Sequence, residues 1–136
     1  MADNVSTVMA IYEAFGRGDV PAILEHLSED VAWEKDQRDT TVPWLQRRQG
    51  RQGAAEFFQS VADEVDIELF EPAGEPMAGE HTVAVPIRFK ARAKRNGAVV
   101  GRGELQMHLW WFDDAGQVTG FRHVNDLTAD EQALAG

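Results

Sequence analysis

The sequence contains no cysteine among its 136 residues. Disulfide bonds, thiolate nucleophiles and zinc–thiolate sites are therefore excluded, and the composition fits a reducing compartment. No apolar run reaches the length that spans a membrane, and the first ten residues lack the basic and apolar regions of a signal peptide. We therefore expect a cytoplasmic protein that does not bind membranes.

Positive charge is also scarce. Lys and Arg number 13 against 23 Asp and Glu, which gives a net charge of −10 at pH 7. That balance disfavours nucleic acids and anionic membranes as partners. Hydrophobic residues make up 43% of the chain and charged residues 26%, which is typical of a globular protein. The length suits one domain over residues 1–136 with its own core.

The spacing of apolar residues predicts helices followed by an antiparallel sheet. A polar loop over residues 36–50 contains Trp44 as an apolar anchor, which favours a lid or an ordered flap. A short terminal helix capped by Thr128 is expected to be frayed. The earlier elements are helices over 4–17, 19–27 and 51–64, with short strands over 31–35 and 66–70.

The stretch from His81 to Asp126 predicts a three-stranded antiparallel meander. Asn96-Gly97 between two β-branched runs is a strong hairpin signal, and a two-residue turn there pairs Val85 with His108. Closing the second hairpin around Asp114-Ala115 pairs Gln106 with His123 and leaves the two histidines as diagonal neighbours. Gly103 and Gly120 lie within strands, where we expect bulges.

Paired residues share a sheet face, so these registers predict which side chains lie together. One face is apolar at an edge and polar in its centre, whereas the other has an apolar centre that is poorly suited to water. The first face carries Val83, Val85, Ile87, Phe89, Glu104, Gln106, His108, Trp110, Phe121, His123 and Asn125.

The polar cluster on the first face indicates acid–base chemistry. A histidine oriented by a carboxylate acts as a general base near neutral pH, and we assign these roles to His123 and Glu104, with help from His108. The alternatives are core histidines hydrogen-bonded by Gln106 or Asn125, and a Glu104 that is merely solvated. No metal-binding spacing is present, so we expect neither a metal nor another cofactor.

Aromatic residues predict a pocket for a flat or cyclic apolar ligand. The Tyr12 hydroxyl is placed to polarise a ligand carbonyl. Simple core packing is the alternative for each aromatic residue. The expected ligand contacts are Tyr12, Phe15, Trp33, Trp44, Phe89, Gln106, Trp110, Phe121 and Asn125.

Four sequence segments together resemble a known family. They are Tyr12-Glu13-Ala14-Phe15 with Gly18-Asp19, Leu27-Ser28-Glu29-Asp30-Val31-Ala32-Trp33, Gly50 before the third helix, and Gly116-Gln117-Val118 leading to Phe121-Arg122-His123. They are similar to the SnoaL-like branch of the nuclear transport factor 2-like superfamily. The resemblance implies an α+β fold, in which a cone-shaped, curved mixed or antiparallel sheet carries three helices on its concave face around a pocket. It also implies a homodimer formed through the outer sheet face.

The catalytic groups of two members of that superfamily are not preserved. The ketosteroid isomerase base, oxyanion tyrosine and protonated aspartate fall on Lys35, Ile11 and His108. The limonene epoxide hydrolase arginine and first aspartate fall on Ile87 and Phe89, or on Arg88 and Lys90 after a one-residue slip. Its second aspartate falls on His123.

Two functional hypotheses follow from the residues and the resemblance. The first is a cofactor-free enzyme, related to ketosteroid isomerase, that performs isomerisation, cyclisation or hydration on a small hydrophobic, cyclic molecule. The second is a non-catalytic binder of such a molecule, or a dimeric interaction module.

Overall fold

The computed structural model describes residues 3–136, and the fold within that range is α+β. The sheet is mixed and curls into a half-barrel, as the resemblance implied. The elements are α1 (Asn4–Gly16), α2 (Val20–Leu24), β1 (Leu27–Trp33), a 3-10 turn (Pro43–Leu45), β2 (Arg48–Gln49), α3 (Gly50–Glu64), β3 (Val65–Pro72), β4 (Met77–Ala78), β5 (Thr82–Ala93), β6 (Val99–Val100), β7 (Leu105–Phe112), β8 (Val118–Val124) and α4 (Leu127–Ala135).

The sheet follows the order β2-β1-β8-β7-β5-β3, with β4 and β6 paired to β5. β1 and β8 run parallel, and the other neighbours are antiparallel. The predicted inner face is confirmed over β5 and β7, where alternate residues are buried against the helices, but Glu104, which was predicted to lie on it, is exposed. The core includes Val8 and Ile11 of α1, Ala54 and Phe57 of α3, Val83, Val85 and Ile87 of β5, Trp110 of β7 and Phe121 of β8.

The second helix is shorter than predicted. α2 ends at Leu24, and the chain is extended from Leu27, four residues before the predicted strand. Leu27 pairs with Val118 of β8, and its carbonyl accepts a hydrogen bond from Arg51 Nε at 3.0 Å. Leu27 is fully buried. This long-range pairing outweighs the helical spacing of the apolar residues around Leu24 and Leu27.

The first hairpin has the predicted central register but not the predicted turn. Val85 pairs with His108, whereas Ala93 pairs with Ala98 across a four-residue loop instead of Arg95 with Ala98. The two extra residues of that loop are compensated by a bulge over 101–103, where Gly101 and Gly103 have positive φ values of 74° and 75°. The bulge at Gly103 was predicted. The expected pairing of Phe89 with Glu104 is therefore not formed.

The second hairpin is displaced by two residues from its predicted register. His108 pairs directly with His123, and Trp110 pairs with Phe121. A two-residue displacement preserves the sheet face, so the predicted inner residues still lie inside. The register shifts beside Gly120, where an added Cβ would lie 2.9 Å from the Lys35 side chain. The two histidines are thus directly opposite each other rather than diagonal.

The terminal helix is docked, not frayed. Asp126, rather than Thr128, caps α4 by accepting a hydrogen bond from the Ala129 amide at 3.0 Å. Leu134 is buried near its end, and the Asn96 side chain donates to the Ala133 carbonyl at 2.9 Å. Side-chain burial and this tertiary contact hold the helix against the sheet.

The long loop after β1 is an ordered flap, one of the two predicted alternatives. Trp44 is 4% exposed and anchors its 3-10 turn in the core. Arg38 makes a pair of 2.9 Å hydrogen bonds to Glu131 of α4, which joins the flap to the terminal helix.

Within residues 3–136, no helix is long and apolar enough to cross a membrane.

Candidate functional site

A buried carboxylate and a histidine form the centre of the site. Glu34 follows β1 and is fully buried, and its Oε2 lies 2.6 Å from His123 Nδ1 on β8. Its other oxygen, Oε1, accepts a hydrogen bond from the His123 backbone amide at 3.0 Å. The same carboxylate therefore holds both the backbone and the ring of His123. This pair has the form of a general base with an orienting acid.

The backbone after β1 directs Glu34 into the site. Glu34 has a φ of 57°, in the left-handed region that non-glycine residues seldom adopt. Its neighbour Lys35 donates its amide to the Phe121 carbonyl at 2.9 Å, and the Gln37 amide closes a turn onto the Glu34 carbonyl at 3.0 Å. Strain of this kind persists only where surrounding contacts impose it, and it is concentrated at functional sites.

Glu34 was missed by the sequence analysis, which assigned the orienting carboxylate to Glu104. Glu104 is exposed beside the 101–103 bulge, and the predicted contact between its carboxylate and His123 is not formed. Glu34 reaches His123 because β1 pairs with β8 in parallel. A parallel pairing leaves no local turn signal in the sequence. The only available hint was a carboxylate next to a strand that ends in Trp33.

The second histidine is bonded to a hydroxyl instead of a carboxylate. His108 Nδ1 lies 2.8 Å from Tyr12 Oη, and Trp110 Nε1 donates to the same hydroxyl at 3.1 Å. Burial raises the pKa of Tyr12, so the phenol keeps its proton, although the Trp110 hydrogen bond opposes that rise. The indole N–H only donates, so the phenolic hydrogen is free to point at His108 Nδ1. His108 is then the tautomer with its proton on Nε2.

The two imidazole rings are in contact. Their centroids are 4.7 Å apart, and the planes are nearly perpendicular at 79°. Burial lowers the pKa of His108 well below its ordinary value, and the neighbouring His123 lowers it further. His108 is therefore neutral at physiological pH. Among residues 3–136, neither Nε2 atom has a hydrogen-bond partner, so both are available to a ligand.

The concave side of the sheet holds two small cavities, which share Phe15, Phe57, Phe70, His108 and His123. The first, the aromatic lobe, has a volume of about 50 Å³ and the second, the polar lobe, about 40 Å³. The aromatic lobe is also lined by Ile11, Tyr12, Trp33, Phe58, Trp110 and Phe121. The polar lobe is also lined by Trp44, Leu45, Val61, Val65, Ile67, Phe89, Gln106, Asn125 and Asp130.

The structure brings most of the predicted site residues to these two lobes. Every residue predicted to contact the ligand lines one of them, whereas Glu104 lines neither. Asp130 is a further residue that the sequence analysis missed, because it lies on the terminal helix that was expected to be frayed. Within residues 3–136, no group of three or more histidine, aspartate or glutamate side chains is arranged to hold a metal ion.

Comparison with known proteins assigns the fold to a family. The sequence matches the SnoaL-like domain over residues 8–121. No curated protein matches the chain.

Solved structures from several bacteria share the architecture. An NTF2-like protein of unknown function from Burkholderia pseudomallei is 24% identical over the whole of both chains, with a TM-score of 0.81. A candidate polyketide cyclase from Xanthomonas campestris is 23% identical over 96% of each chain, with a TM-score of 0.72. A second candidate polyketide cyclase, from Pseudomonas putida, is 19% identical over 98% of each chain, with a TM-score of 0.75. At these identities the likeness concerns the fold.

Proposed function

The chain belongs to the SnoaL-like family, and from this premise we propose that it is a cofactor-free acid–base enzyme acting on a small hydrophobic, cyclic molecule. The observation that carries the proposal is the pairing of buried Glu34 with His123 at 2.6 Å. It leaves His123 Nε2 free beside two small cavities lined by aromatic side chains. Two candidate polyketide cyclases among the structural neighbours support a cyclic ligand.

The proposed reaction begins with proton transfer to His123. Its Nε2 takes a proton from a carbon next to a ligand carbonyl, and the C–H electron pair moves to form an enolate. Glu34 stabilises the resulting imidazolium through the Nδ1 hydrogen bond. His108 donates its Nε2–H to the enolate oxygen, where charge develops. Return of the proton to another carbon gives isomerisation. Attack of the enolate carbon on a second carbonyl of the same molecule gives cyclisation, and His123 then returns its proton to the new alkoxide oxygen.

Glu34 acts through His123 as a positioning residue. A carboxylate on Nδ1 selects the tautomer with a free Nε2 lone pair and favours protonation there. Tyr12 has the equivalent positioning role for His108, because its hydroxyl occupies Nδ1 and leaves the proton on Nε2. The two imidazoles therefore present opposite hydrogen-bonding groups to a ligand, an acceptor on His123 and a donor on His108.

Deuterium exchange at carbon tests the proposed proton transfer without knowledge of the natural substrate. The α-hydrogens of 2-indanone, an enolisable cyclic ketone, are followed by proton NMR in D2O. We expect the wild-type protein to accelerate exchange, and His123→Ala to reduce the rate by about 100-fold or more. His81→Ala is the control, since His81 lies on the surface with a half-exposed side chain. Equal rates for wild type and His123→Ala would refute the general-base role.

Non-catalytic binding of such a molecule is the second candidate, and both candidates must account for the small size of the lobes. Each lobe is well below the roughly 150 Å³ that holds benzene in a protein interior. A cyclic ligand must therefore join the lobes by displacing a shared aromatic side chain, such as half-buried Phe15 or Phe70. Saturable binding of 2-indanone without exchange, unchanged in His123→Ala, is the result that distinguishes a binder from an enzyme.

We also propose that the protein is a homodimer formed through the outer sheet face. Leu105 and Val124 are 57% and 44% exposed there, beside half-buried Met107 and Leu109. Apolar surface of this kind is typical of interaction sites. Val124→Arg is expected to shift the sedimentation coefficient to that of a monomer, whereas Gln132→Arg, on the exposed side of α4, leaves it unchanged. A cytoplasmic location remains a prediction from the cysteine-free composition.

A further inference from the structure

The polar lobe is lined by a side-chain amide that has no hydrogen-bond partner among residues 3–136. Gln106 on β7 is 6% exposed and lines this lobe, yet its side chain has no hydrogen-bond partner among residues 3–136. An amide that faces a cavity without a protein partner is satisfied by water or by a ligand group in that cavity. A mere packing position on this strand is more stably filled by leucine, which has nearly the same size and no polar atoms. The unpaired amide therefore indicates a group that is satisfied from within the lobe.

Two further polar side chains lie at the same end of the lobe. Asn125 donates its Nδ2 to Asp130 Oδ2 at 3.0 Å, and its own Oδ1 is buried without a partner within residues 3–136. Asp130 of α4 is 7% exposed, and its Oδ1 also accepts a hydrogen bond from the Gly101 amide at 3.3 Å. Gln106, Asn125 and Asp130 thus form a polar group opposite the aromatic lobe, with the two histidines between them.

We propose that Gln106, Asn125 and Asp130 form a subsite for a neutral hydroxyl or carbonyl group of the ligand, and that this subsite rejects anions. The inference rests on the proposed function, because it assumes that the ligand lies in the two lobes. It narrows the substrate class to an uncharged molecule with an apolar ring at one end and a hydrogen-bonding oxygen at the other. Carboxylates and phosphate esters are excluded from this class.

Charge in the lobe explains the rejection of anions. Among residues 3–136, no lysine or arginine lines the polar lobe, whereas the Asp130 carboxyl does. Burial raises the pKa of Asp130, against the opposing effects of the Gly101 amide and the nearby positive charge of Arg102. Asp126 contributes a smaller raising effect, and the Asn125 hydrogen bond a smaller lowering one. A ligand carboxylate would meet this acidic group, whereas Arg102, the nearby cation, lines the small crevice behind Asp130 and not the lobe itself.

A crevice behind the subsite offers a competing explanation. Gln106 and Asp130 also line a cavity of about 10 Å³ beside Arg102 and Glu104. That volume is about enough for one water molecule, which would satisfy the Gln106 amide from the opposite side. The amide would then stabilise the bulge and have no part in ligand selection. Binding measurements separate the two explanations, because only the subsite makes affinity depend on the ligand's polar group.

Benzene, phenol and benzoate are suitable probes, since they share a ring and differ in the polar group. Dissociation constants are measured on the full-length protein from amide and indole shifts in nitrogen–proton NMR titrations. We expect phenol to bind about tenfold more tightly than benzene, as one added hydrogen bond to a buried partner allows. Benzoate is expected to bind at least tenfold more weakly than phenol.

Variants assign those preferences to particular side chains. Gln106→Leu keeps the size of the side chain, and we expect it to make phenol and benzene bind equally. Asp130→Asn removes the charge, and we expect it to tighten benzoate binding by about tenfold while phenol changes less than threefold. Gln132→Leu, on the exposed side of α4, is the matched control and should leave all three constants unchanged. Thermal unfolding of each variant checks that it is folded.

The outcomes distinguish failure of the subsite from failure of the proposed function. Equal wild-type affinity for benzene and phenol would overturn the subsite while leaving the ligand-binding cone intact. The same holds if Gln106→Leu retains the phenol preference. No benzene binding at all would overturn both proposals, because an apolar ring would then have no place in the lobes. Since the wild-type series is itself decisive, an unfolded variant does not prevent the test.

Discussion

His108 and His123 lie opposite each other on neighbouring strands, yet their surroundings differ. His123 has a side chain that is 12% exposed and pairs with a fully buried carboxylate. His108 is 4% exposed and bonds to a phenol that is itself held by an indole. The partner at Nδ1 decides what each Nε2 offers, an acceptor in His123 and a donor in His108. One residue type thus supplies two chemical roles a few ångströms apart.

Removing the Glu34 carboxylate, the partner of His123, should have the largest effect on the stability of the protein. Glu34→Ala deprives the His123 ring and backbone amide of their shared partner in a buried site, and we expect a loss of about 3 kcal/mol in the free energy of unfolding. Urea denaturation measures it. Glu13→Ala is the control, since its ion pair with Arg17 is exposed and is expected to contribute less than about 1 kcal/mol. Similar losses in the two variants would show that Glu34 does not hold His123 in the folded state.

Acidification should cause the next largest loss of stability, because His108 is buried in its neutral form. The unfolded imidazole takes up a proton near pH 6.5, whereas the folded one does not because burial lowers its pKa. The unfolded state therefore binds more protons, and stability is lost as pH falls below about 6.5. We expect His108→Gln to remove about 2 kcal/mol of the stability difference between pH 7 and pH 5.

Urea denaturation at both pH values measures this difference for each protein. His81→Gln is the matched control, because it replaces a histidine whose side chain is half exposed instead of buried. An identical pH dependence in wild type and His108→Gln would mean that His108 is protonated in the folded protein, contrary to its assignment as a neutral donor.

Loss of the phenol hydroxyl should have the smallest effect on stability but the clearest effect on the tautomer. Tyr12→Phe leaves Trp110 Nε1 and His108 Nδ1 without their shared partner, at a cost of about 1–2 kcal/mol. Nitrogen-15 shifts of the His108 ring should show the Nε2–H tautomer in the wild type and a mixture in the variant. Trp110→Phe, which keeps the Tyr12 hydroxyl, should retain the wild-type tautomer. A mixture already present in the wild type would refute the assignment.

Much of the inner face was predictable, although partly through cancelling errors. The Asn96-Gly97 signal correctly located a hairpin, and the wrong turn length was offset by the 101–103 bulge. The second hairpin was displaced by two residues, an even number, so His108 and His123 remained inside. Strand alternation was therefore a more reliable guide than the individual residue pairs.

Glu34 and Asp130 were not predictable in the same way. Each reaches the site from an element whose position depends on a distant strand, β8 for the segment after β1 and the β6–β7 bulge for α4. Local sequence signals describe neighbouring residues along the chain, and parallel pairing or helix docking involves contacts between residues far apart. The family resemblance supplied the fold but not these two carboxyl groups.

The sequence by itself determined the alternation that places aromatic and imidazole side chains on one sheet face, because that pattern has a period of two residues. It also determined the absence of cysteine chemistry and the strongly negative charge. Only the tertiary structure decided which carboxylate meets which histidine and which tautomer each ring adopts. Those choices depend on burial and on hydrogen bonds between residues about 90 positions apart, which no local pattern encodes.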